Sequence, residues 1–277
     1  MKVITTLPEL RNARTALPEP VGFVPTMGYL HAGHISLINA AKAGCTSVVA
    51  SIFVNPTQFG PNEDLAEYPR DLPRDLSVLE AAGVDLVWTP TPECMYPPGF
   101  QTWVEVQGLT NGLEGKIRPG HFRGVTTIVA KLFNAVRPDR AYFGQKDAQQ
   151  AVVIRRMTRD LDFPIEIVVC PTTREPDGLA MSSRNSYLIP GERNVATVIF
   201  RALTEAKNAY ESGQREADIL RRIMRDVVNA EPLVRLQYVS CADYDTLEEL
   251  NTVNTKALLS MAVYVGKTRL IDNFVIG

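Results

Sequence analysis

The chain has 277 residues, enough for about two average domains, and 45% of them are apolar. This composition allows a sizeable buried core and excludes disorder as the main state. The 29 basic and 31 acidic side chains give a formal net charge of −2, so no general basic field exists to hold nucleic acid by its phosphates. Any anionic ligand must therefore be bound by a local site.

The four cysteines are far apart in sequence, at positions 45, 94, 170 and 241, and no CxxC pair occurs. This spacing argues against a disulfide framework or a zinc site and favours a reducing compartment. Residues 1–20 lack the apolar core of a secretory signal, and the longest apolar runs have the length of a strand. We therefore expect a cytoplasmic protein with neither a membrane nor a nucleic acid as partner.

Short apolar runs alternate with helical patterns over the first two thirds of the chain. This alternation predicts a doubly wound α/β domain with a parallel sheet over residues 1–174. The predicted strands are 21–24, 47–54, 84–88, 141–143 and 165–170, and the predicted helices are 34–42, 125–136 and 147–160.

The pattern changes near residue 175, where Pro171, Pro176 and Gly178 interrupt the chain. Helices followed by strands of antiparallel character predict a second, small α+β domain over 175–277. The predicted helices are 192–211 and 215–229, and the predicted strands are 236–241, 256–265 and 269–276.

Two of the three histidines, His31 and His34, lie in the segment PTMGYLHAGH directly after the first predicted strand. Gly28 allows the backbone to turn, and Gly33 allows a ligand to approach the following helix closely. The N-terminus of that helix attracts anions, and two imidazoles can donate to charge developing on a phosphate. The segment therefore favours a nucleotide α-phosphate site, the alternative being two histidines that only cap a turn.

The segment FGQKDAQQ, residues 143–150, also follows a predicted strand and opens a helix. Ligands of open α/β sheets bind at the carboxyl ends of the strands, where both polar segments are predicted to lie. Lys146 offers a point charge for phosphate. Asp147 is suited to cap the helix, accept a ribose hydroxyl or help hold a metal ion, and these alternatives stay open.

The segment MSSRN, residues 181–185, lies at the predicted domain junction. Its two hydroxyls and guanidinium suit the oxygens of a leaving pyrophosphate, and a mobile junction is where a closing lid would carry them. A polar linker with a helix cap is the simpler alternative for this segment taken alone.

Two further segments contain polar side chains, and neither is assigned to a phosphate. Residues 54–71 include the amides of Asn55 and Gln58, which suit hydroxyls and carboxylates in a small pocket. Residues 114–125, EGKIRPGHFRGV, contain His121 and have no role assigned by spacing alone.

Together these five segments, with TRLIDN at 268–273, resemble the pantoate–β-alanine ligase (pantothenate synthetase) family over essentially the whole chain. The HxGH motif alone is shared with the wider class of nucleotidylyltransferases and with class I aminoacyl-tRNA synthetases. Tyr29 stands where alanine is usual, and Gln145 stands where glutamate is common. The second departure argues against a charged role at position 145.

The resemblance implies ATP-dependent joining of (R)-pantoate to β-alanine, which gives pantothenate, AMP and pyrophosphate. It also implies a Rossmann-like N-terminal domain, a small C-terminal lid domain, Mg²⁺ dependence with ligands unassigned, and a homodimer. Gln58 and Gln150 would bind pantoate, and Gln58 would also lie near β-alanine. The implied ATP site comprises Met27, Gly28, Tyr29, Leu30, His31, Ala32, Gly33, His34, Gly144, Gln145, Lys146, Asp147, Thr173, Met181, Ser182, Ser183 and Arg184.

The hypothesis for the mechanism has two steps, formation of an acyl adenylate and its attack by the amine. Catalysis would rest on positioning and on electrostatic stabilisation of the phosphoryl oxygens and the leaving group. The candidate catalytic residues, which offer hydrogen bonds or positive charge, are His31, His34, Lys146, Ser182, Ser183 and Arg184.

Two other functions remain as alternatives. A nucleotidylyltransferase would keep AMP on its product and would need extra basic groups near Gln58 and Gln150, where the chain has amides. A non-catalytic nucleotide-binding module would not need His31, His34 and Lys146 together.

Overall fold

The computed structural model describes residues 1–61 and 63–277. Its backbone forms two compact units. The first contains Met1–Gly144 and Gln150–Pro171, and the second contains Gln145–Gln149 and Thr172–Gly277. The domain boundary that the sequence suggests after residue 174 stays a prediction.

A parallel sheet forms the centre of the first unit, as the apolar runs predict. Its spatial order is β1-β4-β3-β2-β5-β6, and every pairing recorded between neighbouring strands is parallel. This arrangement confirms the α/β class. The strands are Lys2–Ile4 (β1), Val21–Thr26 (β2), Ser47–Ile52 (β3), Leu86–Trp88 (β4), Arg140–Gly144 (β5) and Glu166–Cys170 (β6).

Helices connect these strands and cover their apolar side chains. Val24 and Ala50 of the central strands pack with Leu37, Ile38 and Leu79 of the helices in one buried cluster. β1, α1 and α3 were not expected: β1 has only three residues, and each of the two helices buries a single apolar side chain, Leu10 in α1 and Leu79 in α3. The helices are Leu7–Thr15 (α1), Ala32–Gly44 (α2), Leu72–Ala81 (α3), Pro92–Met95 (α4), Leu113–Ile117 (α5), His121–Val136 (α6) and Ala148–Asp160 (α7).

The strand order reverses at β2, which pairs with β3 on one side and with β5 on the other. In open α/β sheets, ligands bind beyond the carboxyl ends of the strands at such a reversal. The segment that begins at Met27 leaves β2 at this edge, and Asn55 follows β3 at the same edge. The fold thus brings two of the predicted polar segments together.

The second unit has an antiparallel sheet of order β7-β8-β9, covered by helices. Leu203, Leu220 and Met224 of the helices pack on Leu259 and Met261 of the sheet in one buried cluster. The elements are Pro190–Val195 (α8), Val198–Glu211 (α9), Ala217–Asn229 (α10), Val234–Asp243 (β7), Ala257–Val265 (β8) and Thr268–Ile276 (β9).

The single helix predicted over 192–211 is two helices, α8 and α9, with a turn at Ala196 and Thr197. The Thr197 hydroxyl donates to the Asn194 carbonyl at 2.9 Å, and the Ile199 N–H donates to the carbonyl of Ala196, three residues back instead of the four of an α-helix. A side chain that bonds the preceding turn competes with helical bonds, which explains the break. Throughout the part of the chain that is described, no helix combines the length and apolar character needed to cross a bilayer.

Candidate active site

The backbone turns sharply directly after β2, as predicted for Gly28. Gly28 has φ +81° and Tyr29 has φ +50°, so two consecutive residues are left-handed. This conformation is easy for glycine and costly for a bulky residue such as tyrosine. The turn therefore needs support from outside its own sequence.

That support is Asp75 of α3, a residue that the sequence analysis did not single out. Its Oδ2 accepts the Tyr29 N–H at 2.7 Å, and its Oδ1 accepts the Leu30 N–H at 2.8 Å. The side chain is 1% exposed. No local pattern reveals this role, because the partners are 45 and 46 positions away in sequence.

His31 and His34 cap the N-terminus of α2 with their ring nitrogens. The Gly33 N–H donates to His31 Nδ1 at 3.1 Å, and the His31 N–H donates to His34 Nδ1 at 3.3 Å. The ring centroids are 4.1 Å apart. Because each Nδ1 accepts a hydrogen bond, each neutral ring carries its proton on Nε2 and can donate from that atom. The capping and catalytic interpretations of these histidines are thus compatible.

Gln58 lies in a short 3₁₀ helix after β3, and its amide contacts the first segment. Its Nε2 lies 3.0 Å from the Met27 sulfur, and its Oε1 accepts from Asn55 Nδ2 at 3.1 Å. Asn55 is buried, and its Oδ1 also accepts from the Tyr96 hydroxyl at 2.8 Å. The structure therefore joins a predicted ATP residue and a predicted pantoate residue in one site.

The backbone carbonyl of Gln58 is held by two residues of the 114–125 segment, which had no assigned role. His121 Nδ1 donates to it at 2.8 Å, and Arg118 Nη2 donates at 3.3 Å. Arg118 also donates from Nη1 to His121 Nε2 at 3.1 Å and forms two hydrogen bonds with the Glu63 carboxylate. A guanidinium cannot accept, so His121 carries its proton on Nδ1.

The protonation of this group follows from its surroundings. Burial, together with the positive charge of Arg118, lowers the pKa of His121 to about 4. Burial acts to raise the pKa of Glu63, but the hydrogen bond and charge of Arg118 outweigh it and hold that pKa below its usual value. At neutral pH the group is therefore a neutral imidazole beside an arginine–glutamate ion pair.

Gly124 lets α6 approach the same 3₁₀ helix. A Cβ at this position would lie 2.4 Å from the Thr57 carbonyl oxygen and 2.8 Å from the Gln58 Cα. The Gly124 carbonyl also accepts from Asn55 Nδ2 at 3.1 Å. Glycine is required here because backbone packs directly on backbone.

In the second unit, Gln145 and Lys146 are tied to β9 by Asn273. Asn273 Nδ2 donates to the carbonyls of Gln145 and Lys146 at 3.0 and 2.9 Å, and its Oδ1 accepts from Gln145 Nε2 at 3.0 Å. Gln145 Oε1 accepts from the Tyr244 hydroxyl at 3.3 Å. The amide of Gln145 is used as both donor and acceptor, in keeping with an uncharged role.

The Lys146 ammonium lies 3.5 Å from Asp147 Oδ1, and its side chain is 20% exposed. Asp147 ends the 3₁₀ helix Gln145–Asp147, directly before α7. The lysine ammonium therefore lies beside an anionic oxygen, and a bound phosphate would compete with this carboxylate for it. The three alternatives for Asp147, namely helix cap, ribose acceptor and metal ligand, stay predictions. The structure adds to them the ion pair with Lys146.

The other predicted site residues of the second unit, between Thr173 and Arg184, also contact one another. The Met181 N–H donates to the Thr173 carbonyl at 3.0 Å. The Ser182 side chain caps the 3₁₀ helix Ser183–Tyr187 by accepting the Arg184 N–H at 3.2 Å. Ser182 thus fulfils the helix-cap alternative, while its role toward pyrophosphate stays a prediction.

Other predicted residues are placed without a contact that assigns them a role. Gly144 ends β5 opposite Cys170, Gln150 is half-buried in α7, and Ala32 and Gly33 open α2. Their functions stay predictions, as does the close approach of a ligand at Gly33.

A parallel sheet with an HxGH segment directly after β2, where the strand order reverses, is typical of nucleotide-binding α/β proteins. A solved pantothenate synthetase from Thermus thermophilus is similar over 99% of both chains, with a TM-score of 0.95 and 50% sequence identity. A pantoate-beta-alanine ligase from Francisella tularensis, solved with beta-gamma ATP and beta-alanine, has a TM-score of 0.82 and 37% identity over 99% of this chain and 97% of its own.

The sequence comparisons agree. The family model described as pantoate-beta-alanine ligase matches residues 2–275. Pantothenate synthetase of Roseiflexus sp. (strain RS-1) is 62% identical over 276 residues, covering 100% of this chain and 99% of the relative. The same enzyme of Herpetosiphon aurantiacus is 60% identical, covering 99% and 100%. The chain belongs to the pantoate–β-alanine ligase family.

Proposed function

We propose that the chain catalyses the ATP-dependent condensation of (R)-pantoate with β-alanine to give pantothenate, AMP and pyrophosphate. One observation supports this more than any other. The amide of Gln58, suited to a hydroxy acid, contacts Met27 of the segment that leads to the two capping histidines. This contact supports a proposed nucleotide segment and a proposed acid-binding amide at one edge of the sheet, and the relatives of the chain are named pantothenate synthetase.

In the first step, an oxygen of the pantoate carboxylate attacks the α-phosphorus of ATP and pyrophosphate leaves. Negative charge then increases on the phosphoryl oxygens. His31 and His34 supply Nε2–H donors at the N-terminus of α2, whose dipole also favours negative charge. These donors are preorganised by their Nδ1 bonds, so they need little rearrangement during the reaction.

Lys146, Ser182, Ser183 and Arg184 supply the positive charge and hydroxyls that a leaving pyrophosphate requires. Mg²⁺ is proposed to accompany ATP and would neutralise phosphate charge when bound. Mg²⁺ in such enzymes typically uses one or two carboxylates together with substrate phosphates. Asp147, about half-exposed beside Lys146, has the right chemistry to be such a carboxylate.

In the second step, the free amine of β-alanine attacks the acyl carbon of the adenylate and AMP leaves. No side chain becomes covalently attached. Gln58 and Gln150 are proposed to hold pantoate through their amides, with Gln58 also near β-alanine. A closing second domain that excludes water from the adenylate and a homodimeric assembly are proposed on the family resemblance.

Product analysis tests this function. Purified protein with ATP, Mg²⁺, (R)-pantoate and β-alanine is expected to form AMP and pantothenate in equal amounts, with neither formed when pantoate is omitted. A nucleotidylyltransferase would instead retain AMP on its product. ATP binding in calorimetry without any product would favour a non-catalytic nucleotide-binding module and contradict the proposal.

A further inference from the structure

Asp75 is a buried carboxylate in α3, and its two oxygens serve different backbone donors. Oδ2 accepts the Tyr29 N–H at 2.7 Å, and Oδ1 accepts the Leu30 N–H at 2.8 Å. A carboxylate accepts at both oxygens, whereas an amide accepts at one and donates at the other. An asparagine would therefore leave one buried N–H facing a second donor.

The segment that Asp75 holds would not keep its shape unaided. Tyr29 has φ +50°, a region that bulky residues avoid, and it follows Gly28 with φ +81°. A Cβ on Gly28 would lie only 2.9 Å from Asp75 Oδ2. The carboxylate therefore fits against this turn closely and supplies acceptors for the two N–H groups that the turn presents.

Arg74, the neighbour of Asp75, completes the support on the same segment. Its Nη2 donates to the Leu30 carbonyl at 3.1 Å, and its guanidinium lies 5.4 Å from the centre of the Tyr29 ring. Its Nη1 is also 3.8 Å from Asp75 Oδ1. Two consecutive residues of α3 thus hold both the N–H and the carbonyl of Leu30, one residue before His31.

We infer that Asp75 is a positioning residue for the nucleotide segment: it fixes the Tyr29–Leu30 backbone and thereby the position of the His31 and His34 rings. This inference rests on the proposed function for its kinetic consequence. Asp75 itself touches the backbone and has no need to contact ATP or pantoate. Its loss is therefore expected to lower both the affinity for ATP and the rate of adenylate formation. The use of ATP, which suffers both effects, should fall more than the use of pantoate.

The test compares Asp75→Asn with Asp139→Asn, a matched control. Asp139 Oδ2 accepts the Val21 N–H at 2.6 Å, so it caps the opposite end of the same strand, β2. For each variant we would measure the thermal unfolding midpoint, the affinity for ATP by calorimetry, and kcat/KM for ATP and for pantoate in AMP formation. The calorimetric measurement of ATP affinity tests the inference even if the proposed reaction is wrong, because it does not depend on turnover.

We expect Asp75→Asn to lower kcat/KM for ATP by at least about 20-fold. At saturating ATP we expect kcat/KM for pantoate to fall by a smaller factor, because ATP is then already bound and only the lost stabilisation of the adenylation transition state remains. ATP affinity should fall in parallel, and Asp139→Asn should stay within about twofold of the unaltered protein in every ligand measurement. A folded Asp75→Asn protein with unaltered ATP affinity and kinetics would overturn the inference. So would equal losses for the two substrates, or equal losses in the two variants.

Arg74→Met provides a second variant in case Asp75→Asn does not fold, because the Arg74 side chain is about half-exposed. The methionine keeps apolar contact with the Tyr29 ring but removes the bond to the Leu30 carbonyl. A selective loss for ATP of about three- to tenfold would support the inference. An unchanged affinity and kcat/KM for ATP would overturn it.

Discussion

Two segments with the same sequence pattern, 27–34 and 144–147, are held in place in different ways. Each follows an apolar strand and precedes a helix. The first is supported through backbone N–H groups by the carboxylate of Asp75, from a helix of its own unit. The second is supported through backbone carbonyls by the amide of Asn273, from the last strand of the chain.

The difference follows from the backbone groups that each segment presents. The left-handed turn at Gly28 and Tyr29 presents N–H groups, for which a carboxylate is the strongest acceptor. The 3₁₀ helix Gln145–Asp147 presents carbonyls, which need donors, and an amide donates two hydrogens. Similar sequence patterns therefore do not imply similar supports. Substitution of Asp75 or of Asn273 should affect one segment without the other.

The largest expected effects come from the side chains that these segments present. His34→Ala and Lys146→Ala should each lower the rate of adenylate formation by at least ~100-fold, the scale of losing one preorganised donor. Single-turnover experiments with ATP and pantoate measure this rate directly. Near-normal adenylate formation in either folded variant would refute the role of that side chain.

A smaller effect is expected from the support of the second segment. Asn273→Ala removes two donors from the carbonyls of Gln145 and Lys146, and we expect the rate of adenylate formation to fall about tenfold through displacement of Lys146. Ser260→Ala is the matched control. Ser260 pairs with Asn273 in the sheet register and its buried hydroxyl has no partner among the described residues.

If Asn273→Ala and Ser260→Ala form the adenylate at the same rate, the Asn273 amide does not position Lys146. A loss of rate confined to Asn273→Ala, with an unchanged unfolding midpoint in the control, would indicate that Asn273 supports the second segment as Asp75 supports the first.

The support behind Gln58 differs from both because it contains His121, whose pKa differs between the folded and the unfolded protein. The pKa of His121 is lowered to about 4 in the folded protein, against an ordinary value of 6.5. As pH falls below 6.5, the unfolded chain binds a proton that the folded protein does not, so stability falls. From about pH 7 to about pH 5.5 this linkage amounts to roughly 1 kcal/mol, and it continues down to about pH 4.

Urea unfolding at about pH 7 and about pH 5.5 measures this change. His121→Asn keeps a donor near the Gln58 carbonyl but cannot titrate, so its stability should change less over this interval than that of the unaltered protein. An identical change in both proteins would exclude His121 as its source.

The sequence predicted the parallel sheet and the positions of the reactive segments, because strand-length apolar runs and polar segments are local features. It also predicted that Gly28 makes a turn. It did not predict Asp75 or Asn273 as supports, since the first acts 45 and 46 residues away and the second 127 and 128 residues away. Such contacts exist only after the chain has folded.

The break between α8 and α9 was missed for another reason. The apolar spacing continues through Ala196 and Thr197, and only the Thr197 hydroxyl, bonded to Asn194, marks the turn. Threonine is common inside helices, so its presence alone did not identify a break.

We propose that the chain activates pantoate as an adenylate before the amine takes part. Pyrophosphate–ATP exchange, measured with Mg²⁺ and without β-alanine, tests this most directly. We expect exchange that depends on (R)-pantoate and is lost in His34→Ala. Protein that binds ATP but shows no exchange with pantoate, and then releases no AMP when β-alanine is added, would contradict it.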